Sequence, residues 1–249
     1  MTANRCSLPV MALFAQSWPS RRQLVALFAT VLVFAASEAL AHAIGGRDAA
    51  FVAATRGPAA GPFLYLGAKH MVTGYDHLLF LFGVIFFLTR LRDIVLYVTL
   101  FSLGHSITLL AGTLIGFGLN AYLVDAAIGL SVVYKAFDNI GGFERTIGRR
   151  PDPRLIVLGF GLVHGLGLAT KLEELGLNPQ GLLANLVSFN LGVEVGQLVA
   201  LSVLLALMTL WRRTCWFGST AVAANGAIMT AGFVLIGLQL GGYFWGPAL

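Results

Sequence analysis

The sequence predicts an all-α membrane protein in which six transmembrane helices follow a cleavable signal peptide. The chain is 57% hydrophobic and only 11% charged, whereas soluble domains carry about 25% charged residues. Its apolar runs reach roughly the 20 residues that a bilayer requires. The basic residues cluster in short connections between these runs, so the net charge of +5 does not indicate a nucleic-acid partner.

The N-terminal segment, residues 1–41, is predicted to be the signal peptide. Arg21 and Arg22 precede an apolar run at 24–36, and Ala39-Leu40-Ala41 matches the small-residue pattern of a cleavage site. A retained membrane anchor is the alternative, but the run is short for a full span, which favours the signal peptide. Residues 42–249 then form a single six-helix transmembrane domain.

The six spans are expected at about 69–89, 94–116, 121–139, 154–171, 182–210 and 222–243. Every second connection is rich in arginine, and these arginines are Arg90, Arg92, Arg145, Arg149, Arg150, Arg154, Arg212 and Arg213. The positive-inside rule places these connections in the cytoplasm. Both termini of the mature chain are therefore expected outside.

The first span opens with the polar segment His70-Met71-Val72-Thr73-Gly74-Tyr75-Asp76-His77. On one continuous helix, His70 and His77 would share a face, two turns or roughly 10 Å apart. Such side chains are costly in a membrane and usually mark a functional path, and imidazole with carboxylate suits nickel, cobalt, copper or zinc. The alternative is structural, with His70 at the interface and Asp76 and His77 as a polar pair that fixes helix packing.

Two further histidines lie near the middle of later spans. His105 closes Phe101-Ser102-Leu103-Gly104-His105, and His164 closes Phe160-Gly161-Leu162-Val163-His164. Small residues such as Gly161, Gly165 and Gly167 allow membrane helices to approach closely. Each histidine alone favours an interhelical hydrogen bond, but together with His77 at similar depth they indicate a shared metal site.

The fifth span carries Asn190, Glu194 and Gln197 at i, i+4 and i+7, which places them on one helix face. A carboxylate in mid-membrane needs a proton, a cation or a histidine, so we expect Glu194 to lie on the metal path. In the third span, Lys135 and Asp138 are expected to form a solvated ion pair.

His42 would become the N-terminal residue after cleavage at Ala41. Its α-amino group and imidazole could then chelate a metal ion, since both groups can be neutral near pH 7–8. A flexible segment between His42 and His70 could deliver that ion to the first span. The alternative is that a histidine at this position has no role.

The first motif resembles the signature of the HupE/UreJ family, and it is similar to the HxxxxDH motif of nickel/cobalt transporters. His70, Gly74, Asp76 and His77, followed by Leu78-Leu79, carry the resemblance, and Met71 stands where the family usually has proline. The resemblance covers residues 42–247.

This resemblance implies a permease, not an enzyme, in the bacterial inner membrane. Its substrate would be a divalent transition metal, nickel first and cobalt second, with no permanently bound cofactor. His70 would receive the ion at the outer mouth, Asp76 and His77 would bind it deeper, and His105, His164 and Glu194 would complete the site. Besides the metal ion and the lipid bilayer, the expected partners are accessory metal-handling proteins or a second copy of the chain.

Two other function classes stay open at this point. One is an electron-transfer subunit that holds haem between His105 and His164. The other is an intramembrane metalloenzyme in which a metal activates water and Glu194 acts as the base. The haem hypothesis leaves His70, Asp76 and Glu194 unexplained, and the metalloenzyme hypothesis lacks an HExxH pattern.

Overall fold

The structure is a computed structural model, and it describes residues 47–246. The predicted signal peptide and His42 lie outside these residues. The described part is helical and contains no strand. Its helices are α1 (Arg47–Ala54), α2 (Ala60–Thr73), α3 (Tyr75–Ile85), α4 (Leu91–Ile115), α5 (Ala121–Asn139), α6 (Gly142–Ile147), α7 (Pro153–Glu174), α8 (Leu182–Arg212) and α9 (Phe217–Trp245).

Four of these helices, α4, α7, α8 and α9, are long and apolar enough to cross a membrane. Their outward faces carry large exposed hydrophobic side chains, as Leu191 and Leu198 of α8 illustrate. Apolar surface of this extent is unfavourable in water but suits contact with lipid. The chain is therefore a helical membrane protein.

The helices associate as three close pairs, which are α2 with α8, α4 with α7, and α5 with α9. Glycines lie at each contact. A Cβ atom at Gly192 of α8 would lie 2.0 Å from the Leu64 carbonyl oxygen of α2, and one at Gly129 of α5 would lie 3.2 Å from the Gly232 carbonyl oxygen of α9. Backbones this close require small residues, which is the usual solution where helices pack inside a membrane.

The short helix α3 lies at the centre, where it contacts α2, α4, α5, α8 and α9. Buried aromatic side chains of α3 and the loop after it, such as Phe80 and Phe86, fill the space between the pairs. The core of the bundle therefore forms around α3.

The first predicted span is interrupted, which differs from the single helix expected at 69–89. Helix α2 already begins at Ala60 and ends at Thr73, and α3 starts at Tyr75. Gly74 has an extended backbone (φ −73°, ψ 105°) between them. Its N–H donates to His70 O at 2.9 Å, and its carbonyl accepts from Leu78 N at 3.1 Å. Backbone hydrogen bonding thus continues across the break in the membrane-spanning segment. An apolar sequence pattern alone does not reveal such a break.

A polar clamp holds the bundle at the far end of α3, and its members are Lys135, Asp138, Asn139, Arg150, Arg212 and Asn225. Asn139 Nδ2 donates to Gly83 O at 2.8 Å and to Asn225 Oδ1 at 2.9 Å. Arg212 donates to Ile85 O, the last carbonyl of α3, and to Phe86 O just beyond it. These side-chain bonds add to the turn hydrogen bonds that Gly83 O and Ile85 O accept from Phe86 N and Leu88 N, at the end of a helix where carbonyls lack intrahelical partners.

The Lys135–Asp138 pair within the clamp is buried, whereas the sequence analysis expected a solvated pair. The two side chains are 10% and 6% exposed and lie 2.7 Å apart. Asp138 also accepts two hydrogen bonds from Arg150, at 2.7 and 2.6 Å. These bonds raise the pKa of the Arg150 guanidinium, so Arg150 stays charged at physiological pH.

Candidate metal centre

Four histidines from four helices meet near the break between α2 and α3. The His77 ring centroid lies 4.9 Å from that of His70, 5.9 Å from that of His105 and 4.9 Å from that of His164. All four residues are at most 4% exposed. We call His70, His77, His105 and His164 the histidine cluster. Because Gly74 breaks the helix, His70 and His77 are much closer than the 10 Å expected for two turns.

Potential ligand atoms in the cluster form two overlapping groups. One nitrogen each from His70, His77 and His105 lie within 4.8 Å of one another, and so do ligand atoms of Asp76, His77 and His164. A transition-metal ion about 2.0–2.2 Å from each ligand fits atoms at this spacing after small side-chain adjustments. His77 belongs to both groups and is therefore the central residue.

Asp76 determines which nitrogen of His77 carries the proton. The Asp76 carboxylate accepts from His77 Nδ1 at 2.9 Å and from the His77 backbone N–H at 2.9 Å. With the proton on Nδ1, Nε2 keeps its lone pair, and this atom is buried without a hydrogen-bond partner in the described part of the chain. A carboxylate behind an imidazole is the usual way to orient a histidine ligand.

Ser131 of α5 does the same for His164. Its hydroxyl donates to Ile128 O at 2.6 Å, so its oxygen accepts from His164 Nε2, which lies 3.0 Å away. The lone pair of His164 then resides on Nδ1, another buried atom with no partner among the described residues. The hydrogen bonds to Asp76 and Ser131 thus orient two imidazoles and leave one ring nitrogen of each with a free lone pair.

The tight contact of α4 with α7 brings His105 and His164 to the cluster. A Cβ atom at Gly161 would lie 2.3 Å from Phe101 O, and one at Gly165 would lie 2.2 Å from His105 O. The two similar sequence segments thus lie side by side, as the predicted close approach requires. The buried ring of Phe101 contacts the His77, His105 and His164 rings, so an apolar side chain lines one side of the cluster.

Gly74 has a second role beside the break that it creates. A Cβ atom at this position would lie 2.9 Å from His77 Nδ1 and 3.0 Å from Asp76 Oδ1. Any side chain there would push against the donor–acceptor pair that orients His77. A glycine at this position therefore leaves room for the pair that orients His77.

A cavity of about 680 Å³ opens beside the cluster. Its lining includes Gly74, Asp76, Asp125, Lys171 and Glu174. Lys171 and Asp125 form an ion pair at 2.8 Å, and Asp76 is 29% exposed. The cavity therefore reaches the candidate centre at Asp76. His70, which the sequence placed at the outer mouth, is instead buried within the cluster.

The predicted ligands on α8 are not brought to the cluster as one face. Glu194 is exposed among the lipid-facing residues and belongs to neither ligand group. Gln197 is buried, but it accepts from Ser102 Oγ at 2.7 Å and donates to Val98 O, so it links α8 to α4. Asn190 is partly buried, and its Oδ1 has no partner in the described part of the chain.

Two features of the centre were not predicted from the sequence. Ser131 gave no signal, because a serine in an apolar helix usually bonds to its own backbone. The pairing of Asp125 with Lys171 joins residues 46 positions apart, and only the packing of α5 against α7 reveals it. The available signal was weaker: Asp125 and Lys171 are both charged and lie near the predicted outer ends of their spans.

The comparisons with known proteins agree with these observations. Residues 46–246 match the family described as HupE / UreJ protein. No curated protein matches the chain, and no solved structure matches it. Because the match covers most of the sequence, the chain belongs to the HupE/UreJ family, a transporter-type family that is generally related to nickel and cobalt transport.

Proposed function

We propose that this protein is a permease for a divalent transition-metal ion, nickel first and cobalt second, and that the histidine cluster with Asp76 is its intramembrane site. The observation that carries the proposal is the set of buried ring nitrogens, contributed by four helices, that have no hydrogen-bond partner within residues 47–246. Unpaired polar atoms inside a bundle are costly, and nitrogen ligands with one carboxylate suit these metals.

The ion would enter through the cavity and meet Asp76 first. It would then pass to His77, which takes part in both ligand groups. With Asp76 and His164, His77 forms the group next to the cavity. With His70 and His105, it forms the other group. Binding has to stay moderate, because an ion held too tightly would not leave. The metal is therefore a substrate in this proposal, not a resident cofactor.

The proposed topology has six spans with both mature termini outside. The interrupted α2–α3 segment and the more polar α5 would supply the two spans beyond the four long apolar helices. A broken helix at a binding site is common in transporters, because its ends offer polar groups in mid-membrane. The positive-inside rule then puts the cavity outside. A cytoplasm-dependent reporter should work when fused near Arg149 and fail after Leu249.

The geometry argues against the two other function classes. The backbones of α4 and α7 touch at Gly161 and Gly165, which leaves no room between His105 and His164 for a porphyrin. Glu194, the base in the metalloenzyme hypothesis, is exposed and lies in neither ligand group, which speaks against that hypothesis.

Uptake by proteoliposomes tests the proposal directly. The purified protein would be offered nickel, cobalt, zinc and manganese at equal concentrations. We expect saturable uptake of nickel and cobalt, its loss in His77→Ala, and wild-type uptake in Ser202→Ala, whose hydroxyl bonds only within its own helix. Equal uptake by empty liposomes and proteoliposomes would contradict the proposal. N-terminal sequencing followed by His42→Ala would separately test the proposed capture step at limiting metal.

A further inference from the structure

Helix α5 presents two lysine–aspartate ion pairs on either side of the histidine cluster. Near its start, Asp125 pairs with Lys171 of α7 at 2.8 Å. Near its end, Lys135 pairs with Asp138 at 2.7 Å. Ser131, which holds His164, lies between them. Residues 131, 135 and 138 follow helical spacing, so one face of α5 runs from the cluster to the polar clamp.

The two ion pairs differ in their exposure. Lys171 is 37% exposed and lines the open cavity. Lys135 is 10% exposed, and its Cγ would lie 3.1 Å from a Cβ atom at Gly83 of α3. The bundle thus has an open cavity on one side of the cluster and the buried Lys135 side chain packed against α3 on the other.

Lys135 lies one helical turn beyond Ser131, about 6 Å farther from the cavity along α5. Any ion that leaves the cluster between α3 and α5 in that direction meets its ammonium group. Asp138 offsets only part of the local positive charge, because its single carboxylate faces both Lys135 and Arg150, and the three groups together keep one positive charge. Like charges repel strongly where the surroundings are poorly polarisable.

We propose that Lys135 is the gate on the release side of the permease. Its ammonium excludes divalent cations from the segment between the cluster and the clamp, and release requires this side chain to move away. Asp138 and Arg150 hold the gate closed. The proposal rests on the proposed function, and it adds a gating residue that does not bind the metal.

The test compares two variants, each of which removes the lysine charge from one lysine–aspartate ion pair. Lys135→Met removes the gate charge, and Asp138 keeps Arg150 as its partner, so the buried carboxylate is not orphaned. Lys69→Met is the matched control, because Lys69 pairs with Asp48 of α1. Nickel binding in detergent and downhill nickel flux in proteoliposomes are both measured.

We expect Lys135→Met to bind nickel within twofold of wild type and to raise downhill flux at least tenfold. Lys69→Met and Lys135→Arg should match wild type. Wild-type flux in Lys135→Met, a lower flux with intact binding, or a loss of binding in folded protein would each overturn the gate. If Lys135→Met does not fold, Lys135→Gln replaces it, since its amide can still donate to Asp138. A wild-type protein that neither binds nor moves nickel would instead refute the proposed function.

Discussion

The polar clamp and the histidine cluster are both polar and buried, but they differ in how their atoms are satisfied. In the clamp, the Asn139 amide, the Lys135 ammonium and the Asp138 carboxylate each have protein partners. In the cluster, both ring nitrogens of His70 and of His105 have none among the described residues. Burial of a polar atom without a partner costs free energy. Unpaired nitrogens therefore suit a site that binds a ligand, whereas fully paired atoms suit a structural network.

The largest effect is expected from His77→Ala, because this substitution removes the one ligand common to both groups. Loss of a residue that merely orients a ligand weakens metal binding by about 10–100-fold, so loss of this ligand should exceed 100-fold. Titration of the purified protein with nickel measures it. Affinity within threefold of wild type would place the cluster with the structural networks.

The clamp should respond in the opposite way to Asn139→Ala. This change leaves Asn225 Oδ1 without its donor and leaves Gly83 O with only the 3.4 Å hydrogen bond from Phe86 N, and a buried unsatisfied group costs about 1–3 kcal/mol of stability. Nickel affinity should stay within twofold. Thermal unfolding in detergent is the measurement, with Asn178→Ala in an exposed loop as control. A variant of wild-type stability with weakened nickel binding would contradict a purely structural role for Asn139.

Gly74→Ala tests whether the break in the first span positions the cluster. The added methyl group would press on His77 Nδ1 and Asp76 Oδ1, so we expect nickel affinity to fall by roughly 10–100-fold, the range for disturbed ligand orientation. Gly61→Ala on α2 is the matched control, because a Cβ atom there has open space around it. Equal affinities for the two variants would show that the centre tolerates this displacement.

Ser131→Ala removes the acceptor for His164 Nε2 and frees this ring to change tautomer. We expect affinity to fall by about tenfold, at the low end for such hydrogen bonds. Ser131→Thr keeps the hydroxyl and should recover most of it. Spectra of the cobalt-loaded protein provide the readout, and identical ligand-field bands in wild type and Ser131→Ala would contradict a role in orienting the ligand.

Sequence reasoning predicted the helical membrane class and all four residues of the histidine cluster, because composition and intramembrane histidines are local signals. From its glycines it predicted that α7 packs closely against neighbouring helices, but not that α4 is one of them. It missed the break at Gly74, since hydrophobicity continues across it, and it missed the Ser131 contact, which depends on how α5 packs against α7. Periodicity on α8 placed Asn190, Glu194 and Gln197 on one face, but it could not indicate which way that face turns in the bundle.

The smallest effect is expected from Glu194→Gln, which completes the comparison with a carboxylate that belongs to neither region. Glu194 is exposed on α8 beside the apolar residues Leu191 and Leu198. Because it lies in neither ligand group, nickel affinity and flux should stay within twofold of wild type. Removing a charge from a lipid-facing surface should leave thermal stability unchanged or raise it.

Asp76→Asn, measured in parallel, should reduce nickel affinity strongly, because Asp76 orients His77 and lines the cavity. A tenfold loss in Glu194→Gln would return this residue to the metal path and would mean that α8 turns this face inward during transport.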